Sequence, residues 1–327
     1  MIWYKEPSDV RSRRGRLRLA CRPPMHPASE RHRPLRRMAW LTLCLLLAVT
    51  CLSAYLRHSA AGIGCEPWPA CFGQGAGATP GAVIVSGQAL TVARVAHRVT
   101  ATLALLLSLA MVAASLVRRP RLQREGGHSL ALLGIALGLA LLGVFTPGSR
   151  LPAVAIGNLL GGFAMLAVAA RLVAPLPRDK LGPVAIGVVL LLVLQTVGGA
   201  LVSAAQAGLA CTDLRECYEQ ARAAGWDWRA LDPLRVPSFA VGTPHAEGAL
   251  AMLLHRVASV VLVPVVAAFG VLALRRSHRG AGLAVLLLLA AQVALGLAIG
   301  STGLPMVPVL LHNLVTALLL AIVVRLA

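Results

Sequence analysis

Eight long apolar runs constrain the fold of this chain more than any other feature. A helix needs about 20 apolar residues to cross the roughly 30 Å hydrocarbon core of a bilayer. Lipid offers the backbone no hydrogen-bond partners, so such runs fold as helices. We therefore predict an all-α membrane protein with eight transmembrane helices. The predicted spans are roughly 39–56, 88–117, 129–146, 152–174, 181–203, 248–274, 280–300 and 307–326, and the second is long enough that we expect its helix to begin near residue 92.

The composition excludes a water-soluble enzyme and a disordered protein. Hydrophobic residues make up 57% of the chain and charged residues only 13%, whereas a soluble domain carries about 25% charged residues. Disorder requires low hydrophobicity. The membrane-spanning helix is thus the unit of organisation.

Basic residues set the predicted orientation. The chain has 31 Lys and Arg against 12 Asp and Glu, a net charge of +19. With the N-terminus inside, the inner side holds 22 basic and 5 acidic residues, and the outer loops hold 6 and 7. This asymmetry follows the positive-inside rule. We expect a bacterial-type inner (cell) membrane, cytoplasmic N- and C-termini, and no nucleic-acid partner.

The leader, residues 1–38, holds eleven of the basic residues. It is rich in Arg and Pro, and we expect it to be disordered and cytoplasmic. It is too long to be a cleaved signal peptide. A nucleic-acid-binding arm is the less favoured interpretation.

The chain contains an internal repeat, residues 39–174 and 175–327. In each half a long outer loop with Cys-x5-Cys follows the first span, and His-Arg-Val opens the second. Two parallel halves related by an axis along the membrane normal are a known membrane architecture. We predict two pseudo-symmetric four-helix bundles. The matched residues are Cys65, Cys71 and His97-Arg98-Val99 in the first half, and Cys211, Cys217 and His255-Arg256-Val257 in the second.

The four loop cysteines lie on the oxidising side of the predicted membrane. A five-residue gap lets each loop fold back and close a disulfide, so Cys65–Cys71 and Cys211–Cys217 are candidate bonds. Zinc is the rival, but this is not a common zinc spacing. The pattern leaves open whether the bonds are structural or redox-active.

Three histidines lie inside the predicted spans at one depth near the outer face: His97, His255 and His312. Ionisable side chains in hydrocarbon are costly and usually functional. Imidazoles on facing helices can bind heme iron within a four-helix bundle. We predict that these residues are heme-iron ligands, with His255 and His312 as a pair. The alternative is that each imidazole only hydrogen-bonds a neighbouring helix.

The first half lacks the partner that the repeat predicts for His97. Asn158 lies 13 residues before Arg171, just as His312 lies 13 before Arg325. An amide is a poor ligand for heme iron. A heme bound in this half would therefore be five-coordinate or have an open face.

These segments together resemble the heme A synthase (cytochrome oxidase assembly) family over nearly all of residues 39–327. Asn158-Leu159-Leu160-Gly161-Gly162 resembles a family motif that begins with His. The other matching segments are Gly64-Cys65-Glu66-Pro67-Trp68-Pro69-Ala70-Cys71-Phe72-Gly73, His97-Arg98, Leu209-Ala210-Cys211-Thr212-Asp213, His255-Arg256 and Leu311-His312-Asn313.

The resemblance implies an oxidoreductase that converts heme O to heme A by oxidising the C8 methyl group to formyl, for cytochrome oxidase assembly. It implies a resident b-type heme (heme b) on His255 and His312, and a substrate heme site at His97 and Asn158. Heme O is then the substrate. Heme O synthase, cytochrome oxidase assembly factors, membrane lipid and a second copy of the chain are candidate partners.

One departure from the family leaves the catalytic residue unknown. Arg94 stands where the family usually has Glu, three residues before His97 and on the same helix face. Arg cannot act as a base at neutral pH. All acidic residues lie outside the predicted spans, with Glu66 and Glu247 nearest. Arg94 would either pair with a heme propionate or extend to the interface.

Three functions fit these residues. The first is a heme A synthase with a diverged first half. The second is a non-catalytic heme-binding or heme-handling protein of the same fold, which Arg94 and Asn158 favour. The third is a diheme electron carrier, which the single complete histidine pair disfavours.

Overall fold

The computed structural model describes residues 27–59, 87–117, 121–146, 149, 151–173, 181–205, 207–236, 247–301 and 304–327. Across these ranges all regular structure is helical. The helices are α1 (Pro27–Ser59), α2 (Gly87–Val112, continued by a π-helical turn at Ala113–Val117), α3 (Gln123–Phe145), α4 (Pro152–Val173), α5 (Gly182–Ala204), α6 (Leu214–Ala223), α7 (Glu247–Arg275), α8 (Arg279–Ser301) and α9 (Met306–Leu326).

Eight of these helices are long and apolar enough to cross a membrane, which confirms the predicted all-α fold. The exception, α6, lies between the fifth and sixth spans. Three predicted boundaries were wrong. The second helix begins at Gly87 rather than near 92, α3 begins at Gln123 rather than 129, and α1 begins at Pro27, inside the predicted leader. Residues 1–26 of that leader lie outside the described residues.

Within each half, four long helices close a ring in the same order. In the first half, α1 packs on α2, α2 on α3, α3 on α4, and α4 returns to α1. In the second half, α5 packs on α7, α7 on α8, α8 on α9, and α9 returns to α5. Contacts of α4 with α5 and α9, and of α1 with α9, join the rings. The pseudo-symmetry axis that would relate the rings stays a prediction.

The helices pack through buried apolar and small side chains. Phe163, Met111 and Leu132 are among the largest side chains that are fully buried. Many other Leu and Val side chains are exposed, as expected for helices that face lipid. Lipid tails are as apolar as leucine, so association depends on close packing rather than on a hydrophobic drive between helices.

Two polar contacts hold the carboxyl end of α9, one to α4 of the first half and the other to Leu181 of its own half. The Arg171 guanidinium on α4 donates to the carbonyl of Val324 at 2.8 and 3.2 Å. The N–H of Leu181 donates to the carbonyl of Leu326 at 2.9 Å. The last carbonyls of a helix have no partner within it, and these two are satisfied by the neighbouring chain segments.

We expect Gly282→Ala to destabilise the protein. A Cβ at Gly282 would lie 2.7 Å from the Gly270 carbonyl oxygen and 2.7 Å from the Leu274 nitrogen, both backbone atoms that cannot easily move. Overpacking typically costs about 1–3 kcal/mol, so thermal unfolding in detergent should begin several degrees lower. Gly134→Ala is the matched control, because its Cβ would meet no atom within 4 Å. Equal unfolding temperatures for the two variants would contradict this account of α7–α8 packing.

Candidate functional site

The imidazoles of His255 and His312 lie close enough to interact electrostatically. His255 is eight residues into α7 and His312 is six residues into α9. At 1.5 Å per residue these are depths of about 12 and 9 Å from the starts of their helices. Both side chains are partly buried. The structure therefore brings together the pair that the sequence predicted as heme ligands.

His255 is held by Gln195 on α5. The amide nitrogen of Gln195 lies 3.0 Å from His255 Nδ1, and it also donates to the His255 carbonyl at 3.0 Å and to Ser259 Oγ at 2.6 Å. Gly199 lies one turn along the same face of α5. A Cβ at Gly199 would be only 3.1 Å from His255 Cε1, so the imidazole packs against the backbone of α5.

His312 has similar surroundings on α8, but the glutamine lies beside the other ring nitrogen. The amide nitrogen of Gln292 lies 2.9 Å from His312 Nε2 and donates to Thr316 Oγ1 at 2.7 Å. A Cβ at Gly296 would lie 3.5 Å from His312 Cε1. In both cases Gln-x3-Gly on one helix faces His-x3-Ser or His-x3-Thr on the next.

Sequence reasoning missed both glutamines. The signal was present, since Gln195 and Gly199, and Gln292 and Gly296, are four residues apart and so share a helix face. An amide in an apolar span is itself costly without a partner. Two such amides, each one turn before a glycine, would have predicted a polar partner on a neighbouring helix.

Several polar atoms of this cluster remain without a partner. His312 Nδ1 and the amide oxygens of Gln195 and Gln292 are buried, and no described residue hydrogen-bonds them. Buried polar atoms of this kind are unusual and call for a ligand or a polar neighbour. A metal-ligating histidine typically has its second ring nitrogen held by a protein group. Two neighbouring imidazoles, each with one nitrogen beside a glutamine, are compatible with a heme that has two histidine ligands.

A conventional metal centre finds no support in the described residues. They contain no group of three or more His, Cys, Asp or Glu side chains that could hold a metal ion. A heme needs at most two protein ligands, so the histidine pair is compatible with heme and not with a structural zinc site.

The first half lacks this polar scaffold. His97 on α2 and Asn158 on α4 are both partly buried, and no described residue hydrogen-bonds either side chain. Arg57 and Arg98 are the charges that act on His97. The predicted substrate ligands therefore lie in one helical ring without the glutamines that hold the other pair.

The repeat register shows which residues replace the glutamines. Counted back from the matched Cys65 and Cys211, Gln195 corresponds to Val49. The next residues in this register, Thr50 and Thr196, are both buried and both donate to the carbonyl four residues earlier, at 2.8 and 2.7 Å. This shared contact supports the register.

The helix that corresponds to α8 also lacks an amide. On α3 no Gln or Asn follows Gln123, the first residue of the helix. The Leu139 side chain of α3 packs against the backbone of α4, since a Cβ at Gly161 would lie 2.6 Å from it. The first half thus has valine in the register of Gln195 and apolar residues on α3 where the second half has Gln292.

Arg94 is exposed, and no described carboxylate forms an ion pair with it. Of the two candidate carboxylates, Glu66 lies outside the described residues and Glu247 is the first residue of α7. Glu125 lies in the first turn of α3, 3.7 Å from His32 at the basic end of the bundle.

A disulfide joins Cys211 to Cys217, as predicted, with the Cα atoms 5.0 Å apart. Arg256, next to His255, reaches this segment. Its guanidinium donates to the Thr212 carbonyl at 2.8 Å and to the Cys211 carbonyl at 3.2 Å. The His-Arg pair thus connects the candidate heme site to the disulfide. The Cys65–Cys71 pair lies outside the described residues.

The disulfide segment is ordered by a cap on α6. The Asp213 side chain accepts from the Glu216 N–H at 2.8 Å, as an N-cap does. The Glu216 carboxylate in turn accepts from the hydroxyl and the N–H of Thr212. These bonds hold the pKa of Glu216 below its usual range, and the hydroxyl contributes most.

The end of α1 reaches the second half. Arg57 donates to Ser53 Oγ at 2.8 Å and to Asn313 Oδ1, next to His312, at 3.4 Å. His58 is buried, with its Nε2 2.9 Å from the Leu304 carbonyl oxygen. The predicted end of the first span at residue 56 was too early, because α1 continues to Ser59.

Comparison with known families accounts for this arrangement. The family model described as cytochrome oxidase assembly protein matches residues 36–324. The chain belongs to the cytochrome oxidase assembly protein family. This is the heme A synthase family that the sequence motifs resemble, so that prediction is confirmed. A comparison with curated proteins finds no match.

We expect Arg256→Gln to expose the Cys211–Cys217 bond to reductants. Losing two hydrogen bonds from a charged donor should raise local opening and the reduction rate roughly tenfold. The rate is measured in mild dithiothreitol by mass mapping of the alkylated Cys217 peptide. Arg215→Gln is the control, because Arg215 makes only an exposed ion pair with Glu219. Equal rates for the two variants would show that Arg256 does not hold the segment.

Proposed function

We propose that this protein converts heme O to heme A, with a b-type heme bound by His255 and His312. Oxidation of the C8 methyl group to formyl with oxygen from water releases four electrons and four protons, so the reaction needs an external electron acceptor. Membership of the family supports a role in cytochrome oxidase assembly. The observation that carries the proposal is the pair of matched glutamine–histidine contacts in the second half. Two neighbouring imidazoles, each held by a glutamine of another helix, would suit a permanently bound heme.

The resident heme would supply one-electron chemistry. The side chains and backbone around the site would hold this heme in position. Gln195 and Gln292 fix the rings, Gly199 and Gly296 admit them close to the backbone, and the apolar ring of helices excludes water. These are properties of a site that holds its cofactor through many turnovers.

The first half would hold heme O, with His97 toward the iron and Asn158 on the opposite side. Asn158 is a weak ligand, so that side of the substrate iron would stay accessible. The scaffold of Val49 and Leu139 leaves the site apolar, which suits the uncharged body of a heme that must enter and leave.

We place the disulfide side of the bundle outside the cytoplasm. At the end of the bundle remote from the disulfide, the α7–α8 connection carries Arg275, Arg276 and Arg279, and the last turn of α9 carries Arg325. This distribution agrees with the positive-inside rule. The proposed setting is a bacterial-type inner membrane, with heme chemistry near the outer face and both termini in the cytoplasm.

A second function is kept because one feature favours it. Asn158, Arg94, Val49 and Leu139 together leave the first half without the polar groups that the second half has. A non-catalytic heme-binding or heme-handling protein of the same fold would show this loss.

Heme analysis distinguishes the two functions. The full chain is expressed with a heme O synthase in a host that lacks its own heme A synthase, and extracted hemes are identified by mass. Heme A or its hydroxylated precursor is expected for the wild type, and neither for His255→Ala or His312→Ala. The synthase proposal would be overturned, and the second function favoured, if the extracts contained only heme O and heme B although the wild-type protein in the membranes carried b-type heme.

We expect Gln292→Leu to weaken retention of the b-type heme. Loss of a group that holds a metal-ligating histidine typically costs about 10–100-fold in affinity. The rate of heme transfer from the purified protein to an apo heme-scavenging protein should rise at least about tenfold. Gln88→Leu is the control, since Gln88 is exposed at the start of α2. Unchanged transfer for Gln292→Leu would show that the amide does not hold a heme ligand.

A further inference from the structure

A cavity of about 230 Å³ lies at the end of the bundle remote from the disulfide. It opens between the α7–α8 turn and the last turn of α9, and its lining includes His278, Arg279, Gly280 and Arg325. A liquid water molecule occupies about 30 Å³, so the cavity has room for several waters or a phosphate group. It is separate from the histidine pair, which lies near the opposite ends of α7 and α9.

The described residues that line this cavity are basic or uncharged, and none of them is acidic. Arg279 supplies an exposed guanidinium group, and Arg325 adds a second positive charge to the lining. His278 Nε2 is buried and no described residue hydrogen-bonds it. The Arg279 guanidinium and the ring nitrogen can both donate to the oxygens of one phosphate.

The first turn of α8 adds backbone donors. The N–H of Gly282 donates to the His278 carbonyl at 2.8 Å. The N–H groups before it, at Arg279, Gly280 and Ala281, have no partner within the helix. Helix N-termini with free N–H groups favour anions.

The negative carboxyl end of α9 does not offset the positive charge around the cavity. Its carboxyl end borders the cavity, and free carbonyls there would repel an anion. The Val324 carbonyl already accepts from Arg171 and the Leu326 carbonyl from the Leu181 N–H. The basic groups therefore dominate the cavity.

We propose that this cavity binds the phosphate group of an anionic phospholipid. Three membrane-spanning helices end around it, which places it at headgroup level. Ile322 supplies an apolar wall on which the lipid backbone can lie. Basic pockets between transmembrane helices on the cytoplasmic side suit lipid headgroups. The proposal does not depend on heme binding.

The test uses the full chain, purified in a neutral detergent. Dihexanoyl phosphatidylglycerol, dihexanoyl phosphatidylcholine and inorganic phosphate are titrated separately, and the shift in unfolding temperature gives an apparent Kd. We expect the apparent Kd of phosphatidylglycerol to be at least tenfold lower than that of either other probe. Equal stabilisation by phosphatidylcholine would overturn the proposal. If inorganic phosphate binds as tightly as phosphatidylglycerol, the site binds free phosphate and the proposal of a lipid ligand is overturned.

Two variants locate the binding. Arg279→Gln removes one guanidinium from an exposed position, and Gly280→Asp adds a carboxylate where a Cβ meets no atom within 4 Å. An acidic residue in the first turn of a helix is stabilising, so Gly280→Asp should fold. Each variant should weaken phosphatidylglycerol binding at least tenfold.

The matched control is Arg276→Gln. Arg276 is exposed in the same turn but does not line the cavity, so binding should change less than twofold. An equal loss in Arg276→Gln and Arg279→Gln would mean that surface charge alone attracts the lipid. That result, or unchanged binding in Gly280→Asp, would rule out a site in the cavity.

Discussion

An imidazole inside an apolar bundle needs a polar partner on another helix, because hydrocarbon supplies none. In the second half this need is met twice, by Gln195 for His255 and by Gln292 for His312. Each contact fixes the rotation and height of one helix against its neighbour. Gly199, one turn along α5, follows from the first contact, since a Cβ there would lie only 3.1 Å from His255 Cε1. Arg256, the residue after His255, connects the same helix to the disulfide segment through hydrogen bonds to two of its carbonyls.

The two halves share the same ring arrangement of helices, but under the proposed function one must retain a cofactor and the other must release a substrate. A resident cofactor must stay in place, and the second half holds two candidate ligands in defined orientations. A substrate must be released, and strong ligands on both faces would oppose release. Under the proposed function, Asn158 and the apolar residues Val49 and Leu139 would give the first half a weaker hold on its heme. The asymmetry is therefore compatible with turnover under the proposed function, as well as with loss of catalysis.

The sequence predicted what depends on local pattern. Apolar length gave the eight spans, and cysteine spacing gave the Cys211–Cys217 bond. Contacts between distant segments were not predictable in this way. Gln195 and His255 are 60 residues apart, and Arg256 and Thr212 are 44 apart. Pairing them requires the rotation of each helix, which hydropathy does not specify. The helical end of α1 was missed because Arg57 and His58 are polar, and their partners lie on α9 and in the segment before it.

The same distant contacts explain why the halves form one unit. Apolar packing between helices has little directional preference in lipid, so packing of α4 on α9 leaves their relative rotation weakly defined. Polar contacts at both ends define it. Arg57–Asn313 and His58–Leu304 join the halves on the disulfide side, and Arg171–Val324 joins them on the basic side. These contacts define the position of the ring that contains His97 relative to the ring that contains His312. Under the proposed function, electron transfer between a resident heme and a substrate heme would depend on that position, because its rate falls steeply with distance.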